Sequence, residues 1–213
     1  MKGVKFDSLH SFYEWGLILQ SKTIEAPTPK EYKIDIEGAD GELDFTEAFG
    51  DVKYSNRNIS MEFVKLNINY DGFAALYSQV QDIVHGQKMK IIFDDDPNHY
   101  YFGRVYIKEW KSEKGYGKIS ITVDAEPYKL QLQPTTVTQA ITGTAEIVLA
   151  NSRMPVVPKI TTDAAMTFSF GGITKAVNAG TFSIPELELK QGNNSVNVTG
   201  TGNVTFKYQE GRL

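Results

Sequence analysis

Apolar and polar residues alternate over much of the first 128 positions, and a period of two predicts strands with one dry and one wet face. Tyr32, Ile34 and Ile36 alternate with Lys33, Asp35 and Glu37, and Ile59, Met61 and Phe63 alternate with Ser60, Glu62 and Val64. Between them, residues 38–58 form a long polar connection holding Gly38, Gly41 and Gly50, with little regular pattern. A compact domain rarely keeps an unstructured connection beyond about 15 residues. This one also carries Leu43, Phe45, Phe49 and Tyr54, which need a dry surface. Two readings are open. The extension leaves its own domain and packs on a neighbouring copy, or it folds back over its own sheet.

Further strands are expected at Val4–Phe6, Trp15–Leu19, Lys88–Phe93, Tyr100–Trp110 and Lys118–Asp124, with a hairpin loop over Lys111–Gly117. Pro27 and Pro29 offer no N–H to a ladder and interrupt any strand between them. One helix is expected, from Asp71 as its cap to Gly86 as its left-handed terminator. Phe73, Leu76, Tyr77, Val80, Ile83 and Val84 recur at spacings of three and four and form a single apolar stripe that lies on a sheet. Residues 129–138 (KLQLQPTTVT) read as a linker, and residues 139–213 as short strands separated by Gly- and Asn-rich turns, one of them Gly200-Thr201-Gly202-Asn203. The predicted fold class is mainly β: an N-terminal β-sandwich-like domain (1–128) with one helix, and a C-terminal β-sandwich (139–213).

Charge supports this division. Residues 1–128 carry 21 acidic and 15 basic side chains, a net −6, whereas residues 129–213 carry 5 acidic and 7 basic, a net +2. The overall −4 argues against a protein that neutralises nucleic-acid phosphates. No apolar run is long enough for a membrane helix. The N-terminus lacks the apolar core of a signal peptide. The absence of cysteine excludes disulfides and thiolate chemistry and fits synthesis in a reducing cytosol.

Candidate chemistry is sparse. His10, His85 and His99 are too scattered for a zinc set. Asp94-Asp95-Asp96 lacks the spacing of a calcium loop and reads as a solvated turn. His85 and His99 have no serine in a nucleophile-elbow motif nearby. A hydrolase needs a poised carboxylate pair or a metal, and none is discernible. No catalytic residue, cofactor or metal site is therefore expected. The C-terminal domain has neither tryptophan nor histidine, so sugar binding there rests on fold analogy.

The segments FDSLHSFYEWGLIL, IEGADGELDFTEAFGDVKYSNRNISMEF, FDDDPNHYYFGRVYIKEW and VDAEPYKL, in this order, resemble the distal tail protein family of long-tailed phages and prophages. The likeness is densest around Gly41, Asp44, Gly50, Tyr54, Asn56 and Arg57, and in Asp95, Asp96, Pro97, Tyr101, Gly103 and Arg104. The C-terminal part resembles that family's galectin-like or carbohydrate-module-like sandwich only loosely, and it lacks the sugar-binding histidine and tryptophan of galectins.

The resemblance implies a structural protein of the virion tail tip, made in the cytoplasm of the host bacterium. It implies a six-membered ring built by the N-terminal domains, with the C-terminal domains projecting outward. The implied partners are copies of itself, the tail tube protein, the tail-tip or baseplate hub protein and the tape measure protein. DNA would pass through the lumen without sequence-specific contact, and an acidic lumen would let it slide. A closing ring needs a heterologous contact. The extension 38–58 is the candidate, with Leu43, Phe45, Phe49 and Tyr54 as apolar anchors and Arg57 paired to a carboxylate across the joint. The alternative function is a carbohydrate-binding module for adhesion to the host wall.

Overall fold

The computed structural model describes residues 3–48 and 50–213. The chain divides into two compact units, residues 1–127 and 128–213. The first unit contains β1 (Val4–Phe6), β2 (Leu9–His10), α1 (Ser11–Trp15), β3 (Ile18–Ile24), β4 (Lys33–Asp35), β5 (Glu42–Asp44), β6 (Arg57–Ile68), α2 (Tyr70–Val84), β7 (Lys88–Phe93), β8 (His99–Glu113) and β9 (Gly115–Ala125). Seven of these strands form one antiparallel sheet in the order β2-β1-β7-β8-β9-β6-β3.

That sheet rolls on itself. β1 and β6 are four strand steps apart, about 19 Å if the sheet were flat. Yet the rings of Phe6 on β1 and Phe63 on β6 lie 6.2 Å apart by centroid. Lys22 on β3 likewise sits 4.1 Å from the ring of Phe93 on β7 and pairs with Asp95 at 2.6 Å. The inward positions of the alternating strands (Ile59, Met61 and Phe63; Ile119, Ile121 and Val123) are fully or almost fully buried in this roll.

α2 covers the same core with the stripe expected of it: Phe73, Val80 and Val84 are buried, and Leu76, Tyr77 and Ile83 pack beside them. The helix starts slightly earlier than Asp71. Asn69 is the cap, its side chain accepting from the Gly72 N–H at 2.8 Å, and Gly86 takes the left-handed conformation at φ +77°. The expected strand at Trp15–Leu19 begins instead as α1. Here His10 caps the first turn through Nδ1, and Gly16 closes the last at φ +64°. Trp15 is thereby turned inward onto Phe6, 6.0 Å away. The expected loop at Lys111–Gly117 is mostly strand, because β8 and β9 continue as a ribbon that turns at Lys114-Gly115.

The second unit contains β10 (Lys129–Gln131), β11 (Thr135–Asn151), β12 (Lys159–Thr162), β13 (Met166–Phe170), β14 (Ile173–Val177), β15 (Gly180–Ser183), β16 (Gly192–Tyr208) and β17 (Gly211–Arg212). The expected linker 129–138 is therefore structured: β10 pairs with β17, and β11 starts at Thr135 opposite Tyr208. β11 and β16 pair over all 17 residues of each. β12 and β15 extend one end of this ribbon, and β13 and β14 the other. Phe168 on β13 pairs in register with Val198, eight residues from Phe206, yet its ring lies 6.0 Å from that of Phe206. The ribbon must therefore bend and face its halves together. The bend falls at Gly143, Gly200 and Gly202, with φ of +84°, +154° and +146°. Gly200–Asn203, expected as a chain reversal, is a corner within a continuous strand.

Candidate assembly interface

Residues 28–55 form an arm made of two short ladders. At the base, the Lys30 N–H donates to the Lys53 carbonyl at 2.8 Å, the Ser55 N–H donates to the Thr28 carbonyl at 2.9 Å, and Pro29 bridges Tyr54. Further out, β4 and β5 pair Lys33 with Asp44, Ile34 with Leu43 and Asp35 with Glu42. The Phe45 N–H continues that ladder to the Tyr32 carbonyl. The extra residues of that strand, 46–48 and 50–52 among those described, lie between the two ladders. Asp44 Oδ1 accepts from the Thr46 N–H at 2.9 Å, and the Thr46 hydroxyl accepts from the Tyr32 N–H at 3.0 Å. The tip turns through Gly38 and Gly41 at φ of +85° and +80°, values that side-chain-bearing residues rarely adopt.

The register sorts the arm's side chains by face. Ile34 lies opposite Leu43, and Tyr32 lies opposite Phe45, their rings 6.4 Å apart. Ile36 continues the same row by strand alternation. These five are exposed to 57% (Tyr32), 40% (Ile34), 43% (Ile36), 49% (Leu43) and 38% (Phe45), and neither hydrophobic core contains any of them. The opposite face carries Lys33, Asp35, Glu42 and Asp44. Residues 26–56 hold eight acidic and three basic side chains, a net −5, so nearly all the acidic excess of residues 1–128 resides on the arm. Lys33 pairs with Glu31 at 2.6 Å; that hydrogen bond and charge raise its pKa above the ordinary lysine value. Hydrogen bonds from the Thr46 side chain and N–H hold the Asp44 carboxyl below its ordinary value.

The five residues singled out in the sequence do not share one environment. Leu43 and Phe45 belong to the exposed apolar row. Tyr54 is half-buried at the base, and Phe49 lies outside the described residues. Arg57 departs from its expected role. It opens β6 with only 6% exposure, its Nη2 donates to the Pro127 carbonyl, and its guanidinium lies 5.5 Å from the Tyr101 ring. Burial lowers its pKa. It anchors the arm's root within its own unit. Tyr32, Ile34 and Ile36 complete the exposed row, although their alternation reads as an ordinary core strand. Only the pairing Ile34–Leu43 reveals the shared face.

The Asp94–Asp96 turn disperses its carboxylates. Asp94 accepts from the Gly3 N–H and bonds His10, Asp95 pairs with Lys22, and Asp96 bonds His99 at 2.7 Å. Among the described residues, no cluster of three metal-ligating side chains occurs and no helix is long and apolar enough to cross a membrane.

The first unit is thus a rolled sheet carrying a two-faced hairpin, and the second unit is also β-rich. Residues 10–133 match the phage tail protein RIFT-related domain, and the chain belongs to that family of phage tail structural proteins. The fold extends over both units to the distal tail protein Dit (gp 19.1) of phage SPP1, with a TM-score of 0.72 at 15% identity, covering 98% of this chain and 99% of that one. That protein is described as a paradigm of the hub adsorption apparatus in phages infecting Gram-positive bacteria. A comparison with curated protein sequences yields no match.

Proposed function

We propose that this protein is the distal tail component of a long-tailed phage or prophage. Its first units form a closed, six-membered ring that joins the tail tube to the tip or baseplate hub, abuts the tape measure protein and lets DNA pass. The observation that carries the reading is the arm. Five large apolar side chains stand in one row on a hairpin that no core of its own chain covers. Monomeric proteins rarely leave a contiguous apolar patch of this kind in water. A projecting, one-sided element suits a heterologous contact, in which each copy gives an arm and receives another.

Membership of a phage tail family and a whole-length likeness to Dit support this assignment. Location of the acidic excess on the arm adds a refinement. If the arms docked by their apolar faces, their carboxylates would point away from the contact, leaving an acidic outer layer over which DNA slides if it faces the lumen. Light scattering on the purified protein tests the proposal. A hexamer or double ring supports it, and a strict monomer at high concentration opposes it.

A further inference from the structure

We infer that an outer sheet face of the second unit binds a phosphate-bearing polyol polymer, with Lys159 and Lys207 taking a phosphate and a row of four threonines taking hydroxyls. This site is independent of the ring proposed above.

Four antiparallel ladders of this chain set two cations directly opposite each other: Lys88 with Arg104, Lys111 with Lys118, Lys129 with Arg212, and Lys159 with Lys207. Like charges so placed repel. Three of the pairs have a carboxylate beside them. Lys88 bonds Glu126 at 3.2 Å, Lys111 lies 3.4 Å from Glu109, and the charge of Arg212 acts on Glu210. Lys159 and Lys207 have no ion-pair partner among the described residues. Both are exposed, and Thr136 and Ser183 flank them in the same row. The carboxylate that follows β12, Asp163, is held by Asn203 through both oxygens at 2.7 Å. An exposed cation pair without an internal counter-charge is relieved by an external anion.

The next row supplies hydroxyls. Thr138, Thr205, Thr161 and Thr181 stand in register across β11, β16, β12 and β15. Thr138 bonds Thr205 and Thr161 bonds Thr181, each at 3.0 Å. In each pair one O–H donates to the other, which leaves the second O–H and several lone pairs for a ligand. Strand geometry sets neighbours in a row about 5 Å apart and the two rows about 7 Å apart. The flexible four-carbon stems let both ammonium groups reach one phosphate. The other half of the β11–β16 ribbon also carries hydroxyl pairs, Thr144 with Thr199 and Ser169 with Thr174, but has Glu146 in the adjoining row. The lysine pair therefore sets this face apart.

The composition of the face selects the ligand. A protein partner needs an apolar or aromatic centre, and no large apolar side chain stands in these two rows. A nucleic acid needs a longer basic track or rings on which bases stack. A neutral sugar leaves the repulsion between the lysines in place. A hydroxylated chain with spaced phosphates answers both rows.

Calorimetric titration of the full-length protein with poly(glycerol phosphate), at low and at physiological salt, tests the site. Binding of that polymer, weaker at higher salt, and none of neutral dextran is the expected result. The double variant Lys159→Gln/Lys207→Gln should bind about tenfold more weakly or worse. Its thermal midpoint should stay the same or rise, because a repulsive pair has been removed. Lys175→Gln, which removes a lysine already paired with Glu186 at 2.8 Å, should bind as the wild type does. Equal affinity for polyglutamate or for a single-stranded oligonucleotide overturns the polyol-phosphate assignment. Absence of binding by the wild type, or undiminished binding by the double variant, overturns the site.

Discussion

Tyr32 and Phe45 face each other across the arm, 6.4 Å between ring centroids, with 57% and 38% of their surfaces open to water. The pair is ordered by its own ladder and belongs to neither core. Exposed apolar side chains contribute little to monomer stability. Replacing Tyr32, Leu43 and Phe45 together by serine should therefore leave thermal unfolding of the monomer within about 0.5 kcal/mol per site while abolishing assembly. Calorimetry and light scattering on the same sample check both halves.

Arg57 serves the opposite purpose. Its buried guanidinium donates to the Pro127 carbonyl and lies over Tyr101. Arg57→Ala leaves that carbonyl unpaired and opens a void, at a cost of about 2–3 kcal/mol. Urea unfolding followed by tryptophan fluorescence reads the first unit, since Trp15 and Trp110 both lie in it.

Gly117 shows how tightly α2 sits on the sheet. A Cβ at this position would stand 2.3 Å from the Phe73 ring. Gly117→Ala should shift the helix and cost about 1–3 kcal/mol. Because Phe73 supports Trp110, the same change should alter tryptophan emission in the folded state.

Acid should loosen the second unit through Glu210. Partial burial alone raises this carboxyl's pKa. Hydrogen bonds from the Ser152 and Thr135 hydroxyls, assisted by the charge of Arg212, outweigh burial and leave it below the ordinary carboxylate value. A folded-state pKa below the unfolded one gives stability that is present above the unfolded value and lost as pH falls through the folded one. Hydrogen exchange of β11–β16 amides should accelerate below the ordinary glutamate range, about pH 4.3. Glu210→Gln should flatten that dependence.

The sequence exposes those parts of the fold that are set locally. The stripe from Phe73 to Val84 marks α2, and strict alternation marks β1, β7 and the inward rows of β6 and β9. What escapes it depends on distant partners. Residues 129–138 look like a linker because the strands that order them, β16 and β17, come more than 60 residues later. Gly200 and Gly202 mimic a turn because a bend within a strand calls for the same φ. His10 is an unusual helix cap, so α1 is not visible in advance. Arg57 gives no sign of burial between Asn56 and Asn58. Ile34 and Ile36 alternate as a core strand does, and a period of two says that a face is dry without saying whose surface dries it.

The mass of the assembled particle, with and without the arm, tests the central claim most directly. Six copies of 23.8 kDa make a ring of about 143 kDa. Replacing residues 32–45 by a short Gly-Ser turn should leave a folded monomer slightly lighter than the intact 23.8 kDa chain, with unchanged far-ultraviolet dichroism outside the lost hairpin. An arm-shortened protein that still assembles to the mass of the intact one would contradict the account.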